Sequence, residues 1–144
     1  MGNRAYLEGV AKGTVPAPPI SKLLGFRLVE AGDGRAVFEL TPGEHLYNPI
    51  GVVHGGVAAT LLDSAMGCAV HTKLPDRGAY TTLDIHTHLV RAIHASTGVL
   101  RCEGEVVHMG RSMATAQARL VDAAGKLYAH GSSTCLILPG PGQS

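Results

Sequence analysis

A chain of 144 residues is long enough for one domain with a substantial core, and 45% hydrophobic with 16% charged residues is the balance of a globular protein. A formal net charge of +1 excludes the strongly basic footprint of a nucleic-acid or anionic-membrane binder. With 4% aromatic residues and no Trp, the chain also lacks the stacking platforms that hold single-stranded nucleic acid. Cys68, Cys102 and Cys135 have no metal-ligand spacing, and their odd number cannot close a full disulfide set. They are expected to be reduced core thiols of a cytoplasmic protein.

In chain order, residues 1–19 read as a weak lead closed by a Pro-rich linker, Pro16-Ala17-Pro18-Pro19. Arg4, Glu8 and Lys12 interrupt any apolar run there, and Tyr6 stands where an N-myristoylation signal needs Ser or Thr. The folded domain is expected over 20–138. Ile20 to Leu24 makes one helical turn opened by Ser21. Phe26 to Glu30 and Arg35 to Thr41 are strands around the turn Gly32-Asp33-Gly34. Pro42 to Val53 is a loop.

From about His54 to about Lys73 the spacing predicts a long helix, ending ahead of Pro75. Val57, Ala58, Leu61, Leu62, Ala65, Met66, Ala69 and Val70 make it apolar almost all round, which marks a buried helix. Four alternating stretches follow: Tyr80 to Val90, Ser96 to His108, Ser112 to Val121 and Lys126 to Leu138. These predict strands joined as a meander with short loops. Residues 139–144 are a Gly/Pro-rich tail, expected to be disordered. No window is apolar for long enough to span a membrane. The fold class is therefore α+β, with a sheet curled round one helix and any face left open covered by a second copy of the chain.

Two features of the helix carry chemistry. His54-Gly55-Gly56 sits at its first turn, where backbone N–H groups lack intrahelical partners and the dipole is positive. Two glycines there either uncover an oxyanion hole or let the helix pack closely on a strand. Asp63 is a carboxylate on an otherwise apolar helix, so it is either a base or nucleophile or a hydrogen-bonded structural group. Gly55 and Asp63 are eight residues apart, about 12 Å along one helix axis, too far to act on the same carbonyl. If both are catalytic, they come from two antiparallel copies of the helix, and the active site is shared across a dimer.

The pattern Asn48, Gly51, His54-Gly55-Gly56 and Thr60-Leu61-Leu62-Asp63 resembles that of the hotdog-fold acyl-CoA thioesterases, in particular the phenylacetate-pathway type. The similarity runs from roughly Leu23 to Leu138 and includes Thr82-Leu83-Asp84. It implies a curled antiparallel sheet round a central helix, a homodimer paired into a homotetramer, and hydrolysis of an acyl-CoA without metal or organic cofactor. Carried over to these positions, it implies that the Gly55 N–H polarises the thioester carbonyl and that Asp63 activates water or attacks the carbonyl. Asn48 and His54 would hold the loop and the thioester, and Thr82, or Thr81 one position earlier, would support the carboxylate or the water. The subtype points to an aryl or arylacetyl group, with a medium chain as the alternative. A non-catalytic acyl-CoA-binding protein is the competing class. A hydratase is disfavoured, because its Asp-x-Asn-Pro-x-His motif needs the histidine two residues after the proline, and His54 comes five after Pro49.

Basic residues at turns are candidates for the CoA phosphates, Arg111 first and Arg91 second; a solvated loop arginine is the plainer role. Asp84, His86 and His88 alternate on one strand and share a face, but successive positions lie about 7 Å apart, too far for one ion, so a polar inter-subunit face is expected instead. Ala58, Ala59 and Ala65 are small enough to leave room beside the helix for an acyl group.

Overall fold

A computed structural model describes residues 1–139 of the chain. The tail expected at 139–144 therefore lies, apart from Pro139, outside the described residues. Two short helices, α1 (Asn3–Lys12) and α2 (Pro19–Leu24), precede strands β1 (Phe26–Gly32) and β2 (Arg35–Leu40). Helix α3 (Gly55–His71) is followed by β3 (Ala79–Leu89), β4 (Leu100–Met109), β5 (Met113–Val121) and β6 (Leu127–Leu138). The strands form one antiparallel sheet in the order β1-β2-β4-β5-β6-β3.

Helix α3 touches all six strands, so the sheet must curl around it. Leu61, Leu62, Ala65, Met66, Ala69 and Val70 have no accessible surface. Burial of a Leu or Met side chain stabilises by about 1.5–3 kcal/mol, so this one helix supplies much of the core. It comes close to the sheet at Gly104 of β4, where an added Cβ would lie against the Ala65 backbone carbonyl. Ala65 is thus packed out rather than roomy, contrary to the expectation of free space beside it.

Three further expectations are corrected. The lead is not featureless: residues 3–12 form α1, which buries Leu7 and packs Tyr6, Val10 and Ala11 on the core. Their helical spacing was present in the sequence, masked by Gly9 and the flanking prolines. The meander is confined to β4, β5 and β6, because β3 pairs only with β6 at the sheet edge and β4 inserts beside β2. Alternation specifies a strand's faces, not its neighbour. The fourth strand, β4, begins at Leu100 rather than Ser96, after a 3₁₀ turn over Ala95–Thr97.

Strand β3 carries a β-bulge: Thr82 faces Cys135 and Asp84 faces Thr134, leaving Leu83 unpaired. The bulge reverses the phase of alternation. Before it the even positions Tyr80 and Thr82 meet α3; after it Leu89 does, with Ile85 and Thr87 on the same face.

Because the Ala65 carbonyl cannot move without bending α3, Gly104→Val should overpack the helix–sheet contact. A loss of about 1–3 kcal/mol is expected in chemical denaturation, with an unaltered m-value.

Candidate active site

The N-terminus of α3 is built by three consecutive side-chain and backbone devices. The Asn48 side-chain carbonyl accepts from the N–H groups of Ile50 (3.1 Å) and Val52 (3.2 Å), closing the loop before the helix. His54 is the N-cap, and its Nδ1 accepts from the Gly56 N–H at 2.8 Å. An imidazole that accepts at Nδ1 carries its proton on Nε2. The cap occupies the Gly56 donor and leaves the Gly55 N–H, which forms no hydrogen bond among the described residues. A Cβ at Gly55 would meet Leu89 Cδ1 at 2.5 Å, so glycine also admits β3 close to the helix start. Of the two roles considered for this glycine, close packing on a strand is thus observed, beside an N–H left without a partner among the described residues.

The loop after β3 returns to the same place. Val53 N–H donates to the Ile93 carbonyl (2.9 Å), and the Ala95 N–H to the Tyr47 hydroxyl (2.8 Å). Between them a cavity of about 220 Å³ opens, walled by Asn48, His54, Gly55, Ala58, Leu89 and Arg91 among others. The Arg91 guanidinium lies 6.0 Å from the centre of the Tyr128 ring, on the outer rim.

Asp63 lies elsewhere. The Thr82 hydroxyl donates to its Oδ1 at 2.9 Å, and no hydrogen bond to Oδ2 is formed among the described residues. Thr81, one residue earlier, is exposed. The bulge at Leu83 is what lets Thr82 face Asp63 while Leu89, of opposite parity, faces Gly55. One turn of helix beyond Asp63, the Tyr80 ring lies against Gly67. Asp63 is not in the wall of the Gly55 cavity, so one chain holds the donor and the carboxylate at separate places on α3.

Other predicted residues sort as follows. Arg91 is beside Gly55; Arg111, in the exposed turn between β4 and β5, is not in that cavity. That turn is at the Asp63 end of the sheet, since Met113 pairs with Leu136 and Leu136 with Thr81. Asp84, His86 and His88 are exposed; Asp84 accepts from the Thr134 N–H at 3.1 Å and His88 stacks on His130 at 4.8 Å. No group of three or more His, Cys, Asp or Glu side chains disposed to hold a metal occurs among the described residues. His71, read only as surface or packing, lies between the rings of Tyr6 and Tyr80.

The Cys68 thiol is pushed up to about 12, chiefly by burial and further by the negative charge of Asp63. Burial also raises the thiols of Cys102 and Cys135. None is a thiolate near neutrality, which removes them as nucleophiles. At pH 8 the native protein should therefore react with well under one equivalent of a disulfide-exchange reagent in minutes, and all three cysteines should react after unfolding.

Comparison with known proteins bears on the family and the fold. The family model of the Thioesterase superfamily matches residues 50–129, more than half the chain and the span from the glycine loop to β6. Human acyl-coenzyme A thioesterase 13 is 29% identical over 131 residues, covering 89% of this chain and 91% of that protein. The 1,4-dihydroxy-2-naphthoyl-CoA hydrolase of Listeria monocytogenes is 24% identical over 118 residues, covering 82% and 94%. A crystal structure of a phenylacetic acid degradation-related protein from Ralstonia eutropha superposes with a TM-score of 0.80 at 27% identity, covering 91% and 98%. With a curled six-stranded sheet round a buried helix and a match of the family model over residues 50–129, the chain belongs to the Thioesterase superfamily and is a hotdog-fold thioesterase.

Proposed function

We propose that this protein hydrolyses an acyl-CoA, with an aryl or arylacetyl acyl group, at a site shared by two copies of the chain. The observation that carries the reading is the pairing of a free Gly55 N–H at one point of α3 with a carboxylate held by Thr82 at another. The thioester carbonyl accepts from Gly55 of one copy. Asp63 of the other takes a proton from attacking water, or attacks the carbonyl itself to give an anhydride that water then opens. The oxyanion of the tetrahedral intermediate is held at the helix N-terminus. Its collapse breaks the C–S bond, and CoA leaves as a thiolate that takes up a proton. The Thr82 hydroxyl orients Oδ1 and leaves Oδ2 for the reaction. His54 and Asn48 act by fixing the loop that presents Gly55.

The free edge of β3 supports the shared site. The far edge, β1, is guarded by Arg27 and Glu30 and has α1 packed on it, as sheet edges usually are. β3 is instead long, and its apolar side chains Leu83 and Leu89 stand 54% and 57% exposed. Pairing two β3 edges antiparallel about an axis at His86 keeps helix-facing residues opposite one another, Ile85 with Thr87. It also sets Asp84 opposite His88 on the outer face, and Leu89, which packs on Gly55, opposite the Thr82–Leu83 bulge beside Asp63. The dimer is thus the smallest complete unit, and a tetramer would be two such units. The relatives act in the same sense, one named for a naphthoyl-CoA and one found in phenylacetic acid degradation. A non-catalytic binder of acyl-CoA would have no use for the carboxylate that Thr82 orients.

Asp63→Asn should lose two or more orders of magnitude in turnover while keeping the fold, a typical loss for a general base. Mixing Asp63→Ala with Gly55→Val, each inactive alone, should restore up to about half of normal activity per mixed dimer, since one of its two sites carries neither lesion. Leu89, the side chain that Gly55→Val displaces, is exposed and flexible at its end, so that variant should fold. Verified subunit exchange without recovered activity would sink the shared site, and free thiol release by Asp63→Asn at the normal rate would sink the role of Asp63.

The nucleotide of CoA should lie across the two basic positions, Arg91 beside Gly55 and Arg111 at the Asp63 end of the other copy. A lost phosphate contact weakens ground and transition state alike, so Arg91→Ala and Arg111→Ala should raise KM more than they lower kcat, most at low salt. The effect should disappear on a thioester truncated to the pantetheine arm; equal impairment on both substrates would assign the arginines to folding or assembly instead.

A further inference from the structure

Helix α1 covers a second cavity, of about 230 Å³, at the C-terminal half of α3. It is tied down at few points. The Asn3 side-chain amide donates to the carbonyls of Pro75 (2.9 Å) and Gly78 (3.0 Å), and Leu7 is the one large side chain of the helix that is buried. A helix of 10 residues does not persist alone in water, so α1 keeps its form only while docked. His71, in the last turn of α3, stands between this cover and the sheet. Its imidazole lies 6.3 Å from the Tyr6 ring of α1 and 5.6 Å from the Tyr80 ring of β3, centre to centre. Around them the wall is Ser21 of α2, Leu28 of β1, Phe38 of β2 and Cys68 of α3, with no Asp, Glu, Lys or Arg among the described residues. The charged side chains at the margins are engaged elsewhere: Arg4 with Glu8 along α1 (3.3 Å), Lys73 with Asp33 (3.4 Å), and Asp76 against Gly2 ahead of the helix. A proton on His71 thus meets no counter-ion, and burial holds the imidazole below its ordinary value.

We infer that α1 is a pH-released lid with His71 as its latch: the helix stays on the core while the imidazole between Tyr6 and Tyr80 is neutral, and lifts off when it is protonated, uncovering the cavity and the Cys68 thiol. The device belongs to the fold and is independent of the thioesterase reading above. Lifting α1 returns His71 to water and to an ordinary value of about 6.5. Docking is therefore at full strength above about pH 6.5 and weakens as the pH falls through that value toward the lower one of the docked state, where the loss levels off. Each unit between the two values is a loss of about ten-fold in the docking equilibrium. The release is local, because α1 is a terminal helix whose chain leaves through Gly13, in the left-handed conformation, while α3 and the sheet keep their own core.

The test is amide hydrogen exchange of the full chain at pH 7.5 and 5.5, corrected for intrinsic rates, beside labelling of Cys68 by 4,4′-dithiodipyridine, scaled to N-acetylcysteine at each pH. In wild type the protection of α1 should fall by roughly three-fold or more at pH 5.5 while that of β5 stays unchanged, and scaled Cys68 labelling should rise by a similar factor. His71→Phe keeps a ring between the two tyrosines and takes no proton, so its α1 should show the same protection at both pH values within about two-fold. His71→Gln should lose the pH response as well, and serves as the control if the Phe variant does not fold. The C-terminal end of α3 and the two ring faces favour a charged imidazole. An α1 that tightens in acid would show that they prevail, and would overturn the lid. So would α1 protection that stays within about two-fold between the two pH values, a loss shared equally by β5, Cys68 labelling that does not rise, or the wild-type pH response persisting in a folded His71 variant.

Discussion

The burial of α3 against every strand of the sheet is the constraint from which the rest follows. A helix enclosed along its length cannot bend or slide, so residues on it keep their axial spacing. Gly55 and Asp63 are therefore held eight residues apart on a rigid rod. The sheet follows the helix: with Ala65 against Gly104, the distance between α3 and β4 is set by backbone atoms rather than by adjustable side chains. A carboxylate positioned this way has no freedom to reach the helix start, and chemistry needing both groups has to recruit another molecule.

Polar side chains at the helix start and at Asp63 are likewise held in place by hydrogen bonds. The His54 imidazole is spent on the Gly56 amide, the Asn48 amide on its own loop, and the Thr82 hydroxyl on Asp63. None of these bonds is large in net energy, each of the order of 1 kcal/mol, but each removes a rotamer or a loop conformation from the set the site could adopt. Left without a partner among the described residues are the Gly55 amide and the Asp63 Oδ2. The β3 edge, with Leu83 and Leu89 exposed on one chain, runs beside both of these groups: Leu89 packs at Gly55 and Thr82 bonds Asp63.

Much of this was legible in the sequence, for identifiable reasons. A helix apolar on all sides is a long and unambiguous signal, and α3 runs from Gly55 to His71 against an expectation of His54 to Lys73. The strands came through because alternation persists over many residues. The candidate site was legible where it depends on local order along the helix: glycines at its first turn, one carboxylate two turns on. Where the site depends on which strand lies next to which, the sequence was silent. Thr81 and Thr82 are both hydroxyls in an alternating run, and only the bulge at Leu83 decides that Thr82 meets Asp63. Arg91 and Arg111 are both basic turn residues, and only the path of the loop after β3 brings Arg91 to the helix start.

The sequence by itself determined the elements, the burial of α3, the spacing of Gly55 and Asp63 on it, and through its His-Gly-Gly and Asp pattern the family. All of these are periodic or local properties, encoded within a few turns of chain. Tertiary structure alone decided the placement of β3 at the sheet edge, the phase reversal that turns both Thr82 and Leu89 toward α3, and the docking of α1 over the core beside Cys68 and His71. Those depend on contacts between segments tens of residues apart, where burial of a shared core chooses among pairings that local propensity leaves equal.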